Sequence, residues 1–385
     1  MRRSGYVLIS VALGAGVVGL SPTGAAANDQ DHASKGPSKP VVVVSGLNNP
    51  RQLSLVDSDE LLIAEAGKGG PTPITTPEGG PSGVGGTGSI SAVYRPQRAH
   101  DTSPHRIVTG LMSIAAPDGS FAIGSDGVSA RSEHGPIYIQ ETYAPPDLLP
   151  APFNTKQDGR LLSARPYSSH LKVVANISRF EKTDPDKKGF DSDPYAVLAL
   201  RGGELVADAA GNDVLWVHGK HVSLFHVFPN VRTGPCASQF DPDPTHPGCN
   251  FVPTSLATDR HGHVYVGGLV SEVPGQGRVV ELSSDGRHVL HVWSGFTTVT
   301  GVAVGHDGAL YVSQLFAPEA APPNPKIAGV LTRVKHGKRT NVDVPFPAGV
   351  VVNDDNQVFV SAWSVASEAG LAGPSTSGQV WRLRF

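Results

Sequence analysis

A short apolar strand pattern recurs six times along this chain, and a turn cluster leads each copy. The copies are Leu61-Leu62-Ile63, Ile137-Tyr138-Ile139, Leu205-Val206-Ala207, Val264-Tyr265-Val266, Leu310-Tyr311-Val312 and Val358-Phe359-Val360. Ahead of them stand Asp57-Ser58-Asp59, Glu133-His134-Gly135, Arg201-Gly202-Gly203, Arg260-His261-Gly262, His306-Asp307-Gly308 and Asp354-Asp355-Asn356. Turn formers followed by β-branched and aromatic residues mark a tight connection into a strand. Recurrence at about 45 residues, with several short strands per unit, constrains the chain to a β-propeller.

The rest of each unit agrees. A further strand signal opens on Gly88, Gly159, Gly277, Gly329 and Gly378, while the third unit has Asn212 there. Asn is the next residue to tolerate a left-handed backbone, so the same turn is served. Inner strands precede the turn clusters at residues 51–55, 254–258 and 301–304, and outer strands follow at 106–109, 171–174, 222–225 and 288–291. The last unit stops at Phe385 with three strands, and Val41-Val42-Val43-Val44 belongs to no unit. Pairing those two ends predicts an all-β, six-bladed β-propeller closed by an N-terminal strand, with no edge left open. With 45 Gly, 33 Pro and 17% charged residues, no amphipathic run is long enough for a substantial helix. Residues 41–385 therefore read as a single propeller.

Residues 1–27 read as a secretory signal peptide: Arg2 and Arg3, an apolar stretch, then Ala25-Ala26-Ala27 as a cleavage site. That stretch is too short and too Gly-rich for a membrane span, so no span is expected after cleavage. The twin arginines leave the export route open between general secretion and the twin-arginine pathway. Residues 28–40 are polar and read as a disordered spacer. The expected address is secreted: extracellular, periplasmic or cell-wall associated. The two cysteines, Cys236 and Cys249, are spaced for a loop-stapling disulfide in an exported protein, not for a Cys-x-x-Cys metal or redox pair. A formal net charge of −3 with scattered Lys and Arg argues against nucleic acid as partner.

Long connections fall at residues 67–87, 112–125, 143–158, 178–193, 230–252, 316–328 and 364–377. In an up-and-down blade these positions share one face, and long loops on a rigid scaffold are where binding or catalysis is built. Around that mouth the strand starts place Asn49, Arg51, Asp126, Asp193, Tyr195 and Thr254. Glu65, Glu141 and Asp208 each leave a second strand toward the same face. Converging oxygens suit Ca²⁺, whereas a purely structural role has each acid bracing its own turn. Asp208, with Asn212 after it, fits the structural role, and Glu65 and Glu141 stay open between the two. His261-x-His263 and His288-x-x-His291 read as solvated surface histidines. No nucleophile elbow, Walker loop, zinc-protease helix or dinucleotide fingerprint is present.

Several pieces together resemble the ScyD/ScyE family of exported bacterial propeller proteins. They are Asn49-Pro50-Arg51, Ala64-Glu65-Ala66-Gly67, Asp193-Pro194-Tyr195, Ala207-Asp208-Ala209, Gly211-Asn212-Asp213 and Val252-Pro253-Thr254-Ser255. The chain departs from that family at Asp193, where Asn is usual, and in lacking a Cys in the first long loop. The resemblance implies a fold and a compartment, and it carries no catalytic residue. Two readings of function follow. One is a binding or scaffold propeller gripping a protein, a glycan or a small molecule at the loop-rich face, with no certain cofactor. The other is a Ca²⁺-dependent lactonase or gluconolactonase-like hydrolase with its metal at the channel mouth. The hydrolase wants a Glu where Asn49-Pro50-Arg51 stands and an acid where Val299-Thr300-Gly301 stands, so the binding reading is favoured.

Overall fold

A computed structural model describes residues 37–76, 80–168, 170–238, 245–316 and 329–385. The expected signal peptide, spacer residues 28–36 and all but Phe316 of the connection expected at 316–328 lie outside the described residues.

The chain forms β1 (Val41–Leu47), β2 (Pro50–Val56), β3 (Glu60–Glu65), β4 (Thr72–Thr75), β5 (Pro81–Tyr94), β6 (His105–Ala115), β7 (Ile123–Ala130) and β8 (Ile137–Glu141). A short helix α1 (Phe153–Lys156), then β9 (Arg160–Ala164), β10 (Lys172–Asn176) and helix α2 (Ile177–Glu181) follow. These strands, without β1, make one sheet of nine, in which β4 pairs off the main path with β5. Three sheets of four strands follow in chain order. The first holds β11 (Pro194–Leu200), β12 (Gly203–Asp208), β13 (Asp213–His218) and β14 (His221–Val227). The next holds β15 (Pro253–Thr258), β16 (Val264–Gly268), β17 (Gly277–Leu282) and β18 (Val289–Phe296). After it come β19 (Val299–Val304), β20 (Leu310–Gln314), β21 (Val330–Lys335) and β22 (Lys338–Asp343). The last sheet takes β23 (Val350–Val352), β24 (Val358–Ala362) and β25 (Gly378–Leu383), and β1 completes it. This is an all-β propeller.

Burial explains why the second strands read as unbroken apolar runs. Every residue of β12, β16, β20 and β24 is buried, because neighbouring sheets cover both faces. Leu205 and Val214 of one sheet pack with Leu256, Val264 and Val280 of the next. Each such side chain contributes roughly 1.5–3 kcal/mol on burial. Outer strands β18 and β22 are mostly exposed. That exposure makes β22 too polar to stand out in the sequence.

The N-terminal strand joins antiparallel to the end of the chain, with Val42 opposite Trp381 and Val44 opposite Val380. Val43, Val44 and Leu47 are fully buried against Ile63, Phe359 and Val380. The last sheet also meets the first inner strand: Gly349 N–H and Ser361 Oγ both donate to the Arg51 carbonyl, at 3.2 and 2.7 Å. Strands β2, β7, β11, β15, β19 and β23 line a central channel of ≈ 560 Å³.

Three expectations change. Most of the connection expected at 67–87 is a hairpin, since β4 pairs with the first half of β5. The connection expected at 112–125 shortens because Ser113 and Ile114 pair with Gly124 and Ile123. Ser38, inside the expected disordered spacer, donates to the Arg384 carbonyl at 2.8 Å and accepts from its N–H at 2.9 Å. Cys236 and Cys249 are bonded to each other, as expected from their spacing. No helix among the described residues is long and apolar enough to cross a membrane.

Candidate functional site

Five of the six inner strands share one irregularity at their starts. Register slips between Pro50 and Leu53, Ser125 and Gly127, Pro194 and Ala196, Pro253 and Ser255, and Val299 and Gly301. A bulge re-aims the extra residue away from the ladder. The extra residues include Arg51, Asp126, Tyr195, Thr254 and Thr300, which are the polar groups nearest the loop-bearing mouth. One local device repeated around the ring therefore supplies most of the candidate site.

Arg51, Asp126, Asp193 and Tyr195 come together in a cavity of ≈ 20 Å³. Thr142, Thr300, Ser364 and the apolar Phe121, Ile123, Leu315, Ala348 and Val365 complete its wall. That volume holds about one water molecule. Arg51 fills the middle. Its Nε meets Asp126 Oδ1 at 3.1 Å, Nη1 donates to the Ser364 carbonyl at 2.7 Å, and Nη2 donates to the Ala122 carbonyl. One side chain thus ties the loop after β6 to the loop after β24.

Asp126 is 1% exposed, and burial outweighs the attraction of Arg51, pushing its carboxyl up to about 6. Asp193 accepts from Thr142 Oγ1 at 2.5 Å, and no cation pairs with it among the described residues. Burial first, then the nearby Asp126 and Asp208, hold Asp193 well above the ordinary carboxylate range. Burial also raises Tyr195, whose hydroxyl makes no hydrogen bond among the described residues. The cavity thus presents one spent guanidinium, one carboxyl without a counter-charge and a free phenol.

The other sequence candidates lie off this wall. Asn49 is fully buried and donates from Nδ2 to the Gly67 and Gly119 carbonyls, both at 2.8 Å, while Oδ1 accepts from Ala122 N–H. It braces three backbone segments and presents nothing to the cavity. Thr254 donates to the Val299 carbonyl at 2.6 Å, joining two sheets, and faces the channel beyond the cavity. Glu65 is fully buried within its own sheet and held by Arg106 at 2.8 Å. Glu141 is fully buried, with Ser125 Oγ at 2.8 Å as its partner and its Oε2 unpaired. Asp208 accepts from Asp193 N–H at 2.6 Å and from Gly211 N–H at 3.0 Å, the bracing role its sequence context implied.

Thr142, Thr300 and Ser364 were not picked out from sequence. Thr300 holds the same bulge position as Thr254, so extending the strand-start rule to hydroxyls finds it, and Thr142 directly follows Glu141 at the exit of a second strand, where the search for acids had already pointed. Ser364 lies in the loop after β24, where no periodic pattern marks it. One histidine also departs from expectation. His263 is not simply solvated, because its Nδ1 lies 2.9 Å from Glu281 Oε1 and 3.5 Å from Asp259 Oδ2.

No family model matches the sequence, and no curated protein matches it by sequence. Solved structures share the fold. A luciferin-regenerating enzyme aligns with TM-score 0.50 and 9% identity, over 91% of this chain and 96% of its own. A putative oxidoreductase (glucose dehydrogenase) from Thermus thermophilus aligns at 0.49 and 14% identity, over 90% and 100%. The PQQ-bound aldose sugar dehydrogenase from Streptomyces coelicolor aligns at 0.46 and 12%, over 91% and 99%. At such identities the likeness speaks for the propeller fold alone.

Proposed function

We propose that this chain is an exported six-bladed propeller that binds a ligand at its loop-bearing mouth and catalyses no reaction there. The blade count takes the nine-stranded sheet as two blades, β2-β3-β5-β6 and β7-β8-β9-β10, whose ladders join only where Ser113 and Ile114 pair with Gly124 and Ile123. It is supported by the six inner strands that line one channel and by the two-pair link between β6 and β7. Export is supported by the N-terminal sequence and by the disulfide. The resemblance to the ScyD/ScyE family points to the same compartment.

The observation that carries the binding reading is the position of Arg51. A Ca²⁺-dependent hydrolase needs a cation among oxygen ligands at the channel mouth, reachable by water and substrate. Here a guanidinium sits at that point, already neutralising Asp126 and closing two loops over the channel. Asp193 and Tyr195 then offer a carboxyl and a phenol on an apolar wall. That surface suits a hydroxyl or ammonium group carried by a glycan, a protein side chain or a small molecule.

The test uses the exported form of the protein and its Arg51→Ala, Asp193→Asn and Tyr195→Phe variants. Hydrolysis of a panel of lactones and esters, with added Ca²⁺, is expected to stay at the buffer rate for all four proteins. Binding to an array of glycans and amine-bearing ligands is expected to weaken at least tenfold in Asp193→Asn. Lactone hydrolysis by the wild type that Asp193→Asn abolishes would overturn the binding reading in favour of the hydrolase.

A further inference from the structure

The third unit carries a second group of acids outside the central cavity. Asp208 ends β12, Asp213 starts β13, and the two face each other across the ladder. Helix α2 brings Glu181 to the same hairpin. A methyl group on Gly211 would lie 2.6 Å from Glu181 Oε2 and 3.4 Å from Asp208 Cβ, so the bare glycine lets the carboxylate approach. Asp186 stands at the border, where its Oδ2 accepts from Asn212 Nδ2 at 3.1 Å. Exposure is 1% for Glu181 and 0% for Asp208 and Asp213.

What marks this group as a site is the missing partners. Both carboxylate oxygens of Asp213, and Oε1 of Glu181, are buried with no hydrogen-bond donor. No Lys, Arg or His pairs with Glu181, Asp208 or Asp213 among the described residues, and Lys188, at the border, pairs with Asp186 at 3.5 Å. Buried carboxyls are normally paired or bound to metal. Asp208 differs, because three donors already occupy it: Ser192 Oγ, Asp193 N–H and Gly211 N–H.

We propose that Glu181 and Asp213 bind a calcium ion between helix α2 and the β12–β13 hairpin, with Asp208 and Asp186 adding negative charge around it. The donors are all oxygen, with no His or Cys, which selects a hard divalent cation. Ca²⁺ takes irregular carboxylate and carbonyl sets, whereas Mg²⁺ holds to an octahedron and keeps several waters. A buried, irregular set of carboxylates suits the larger ion. Bound there, it pins the long connection between β10 and β11 to the sheet of β11–β14. Through Asp208 it also fixes the backbone of Asp193, whose N–H lies 2.6 Å from Asp208 Oδ1. The calcium site stands independently of what the central cavity binds.

The test starts from exported protein stripped with EDTA and then dialysed against chelator-free buffer. Elemental analysis after Ca²⁺ loading is expected to find one ion per chain. At about a hundredfold excess over Kd, Ca²⁺ is expected to raise the melting temperature by roughly 4 °C. Asp213→Asn and Glu181→Gln, which keep shape and remove charge, are expected to abolish that shift. Asp126→Asn, in the central cavity, and Glu281→Gln, beside His263, are expected to keep it. A calcium shift that survives both Asp213→Asn and Glu181→Gln would overturn the proposal, as would a shift lost only in Asp126→Asn. No shift and no bound calcium in the wild type would also overturn it, a result that needs no variant to fold. Stabilisation by Mg²⁺ but not by Ca²⁺ would overturn the choice of ion.

Discussion

Glu65 in the first unit and Glu141 in the second occupy one position in the fold and lead opposite electrostatic lives. Each ends a second strand and pairs with a residue at or near the start of its inner strand, Pro50 in one case and Ser125 in the other. Both are fully buried. Glu65 accepts from Asn48 N–H at 2.7 Å, from Ser89 and Ser91 hydroxyls at 3.1 and 2.6 Å, and from Arg106 at 3.1 and 2.8 Å. Glu141 has Ser125 Oγ alone, and burial together with Asp126 and Asp158 pushes its carboxyl well above the ordinary range. Asp208, the counterpart in the third unit, lies between them, held by hydrogen bonds without a cation. The strand register decides that an acid goes inside. Whether its charge survives there depends on the donors the next strands bring.

The comparison breaks most visibly at Glu65. Its ion pair with Arg106 is buried on the acid's side, where the side chain is 0% exposed, against 29% for Arg106. Removing one partner of a buried pair costs about 3–5 kcal/mol, and partial hydration of Arg106 sets the expectation near the lower end. Glu65→Ala should therefore shift the urea midpoint strongly toward lower concentration with an unchanged slope. A loss under about 1 kcal/mol would mean the network is not holding the first sheet together.

The sequence made the propeller legible because second strands are buried on both faces and first turns need Gly, Asn or Asp. Those two demands leave a repeating pattern that survives divergence of everything else. The closing strand was legible for a related reason, since Val41 to Val44 had no unit to join. The site was legible only in part. Arg51, Asp126, Asp193 and Tyr195 stand at strand starts, and the bulges there turn three of them inward. Asn49 and Thr254 sit at the same kind of place, yet nearby carbonyls absorb their donors. Which acid meets a cation is fixed by contacts such as Glu65 with Arg106, 41 residues apart, and no local pattern announces them. The unpaired acids of the third unit, Glu181 and Asp213, were missed for that reason too: only Asp208 stood out there, as an acid bracing its turn with Asn212.

Asp208 offers a smaller contrast. Asp208→Asn keeps one carbonyl oxygen but places an NH₂ group against donors, so at least one of Ser192 Oγ, Asp193 N–H and Gly211 N–H loses its acceptor. An unsatisfied buried donor costs about 1–3 kcal/mol. Measured in EDTA, so that no bound cation enters, the variant should lose stability in that range. A variant as stable as wild type would place Asp208 with Glu141 rather than with Glu65.

The smallest effect, and the sharpest in sign, is expected at Glu141. Its carboxyl is raised well above its ordinary 4.5 in the folded protein, so folding takes up a proton once pH exceeds that value. Where the native state binds more protons than the unfolded state, stability falls as pH rises. The contribution of Glu141 is therefore intact below about pH 4.5 and erodes above it. Asp126, raised to about 6, and Asp158, raised to about 7, erode in the same direction. They are present in both proteins and largely cancel in a difference. Glu141→Gln cannot ionise. At pH 5 it should differ from wild type by less than about 1 kcal/mol, the scale of one neutral hydrogen bond. Toward pH 8 the difference should grow in favour of the variant, as the wild type alone carries the cost of keeping that carboxyl protonated or burying its charge. Paired denaturation curves at pH 5, 6.5 and 8 measure the trend. A glutamine variant that instead loses ground as pH rises would mean that the Glu141 charge is satisfied in the folded protein, making the second unit electrostatically like the first.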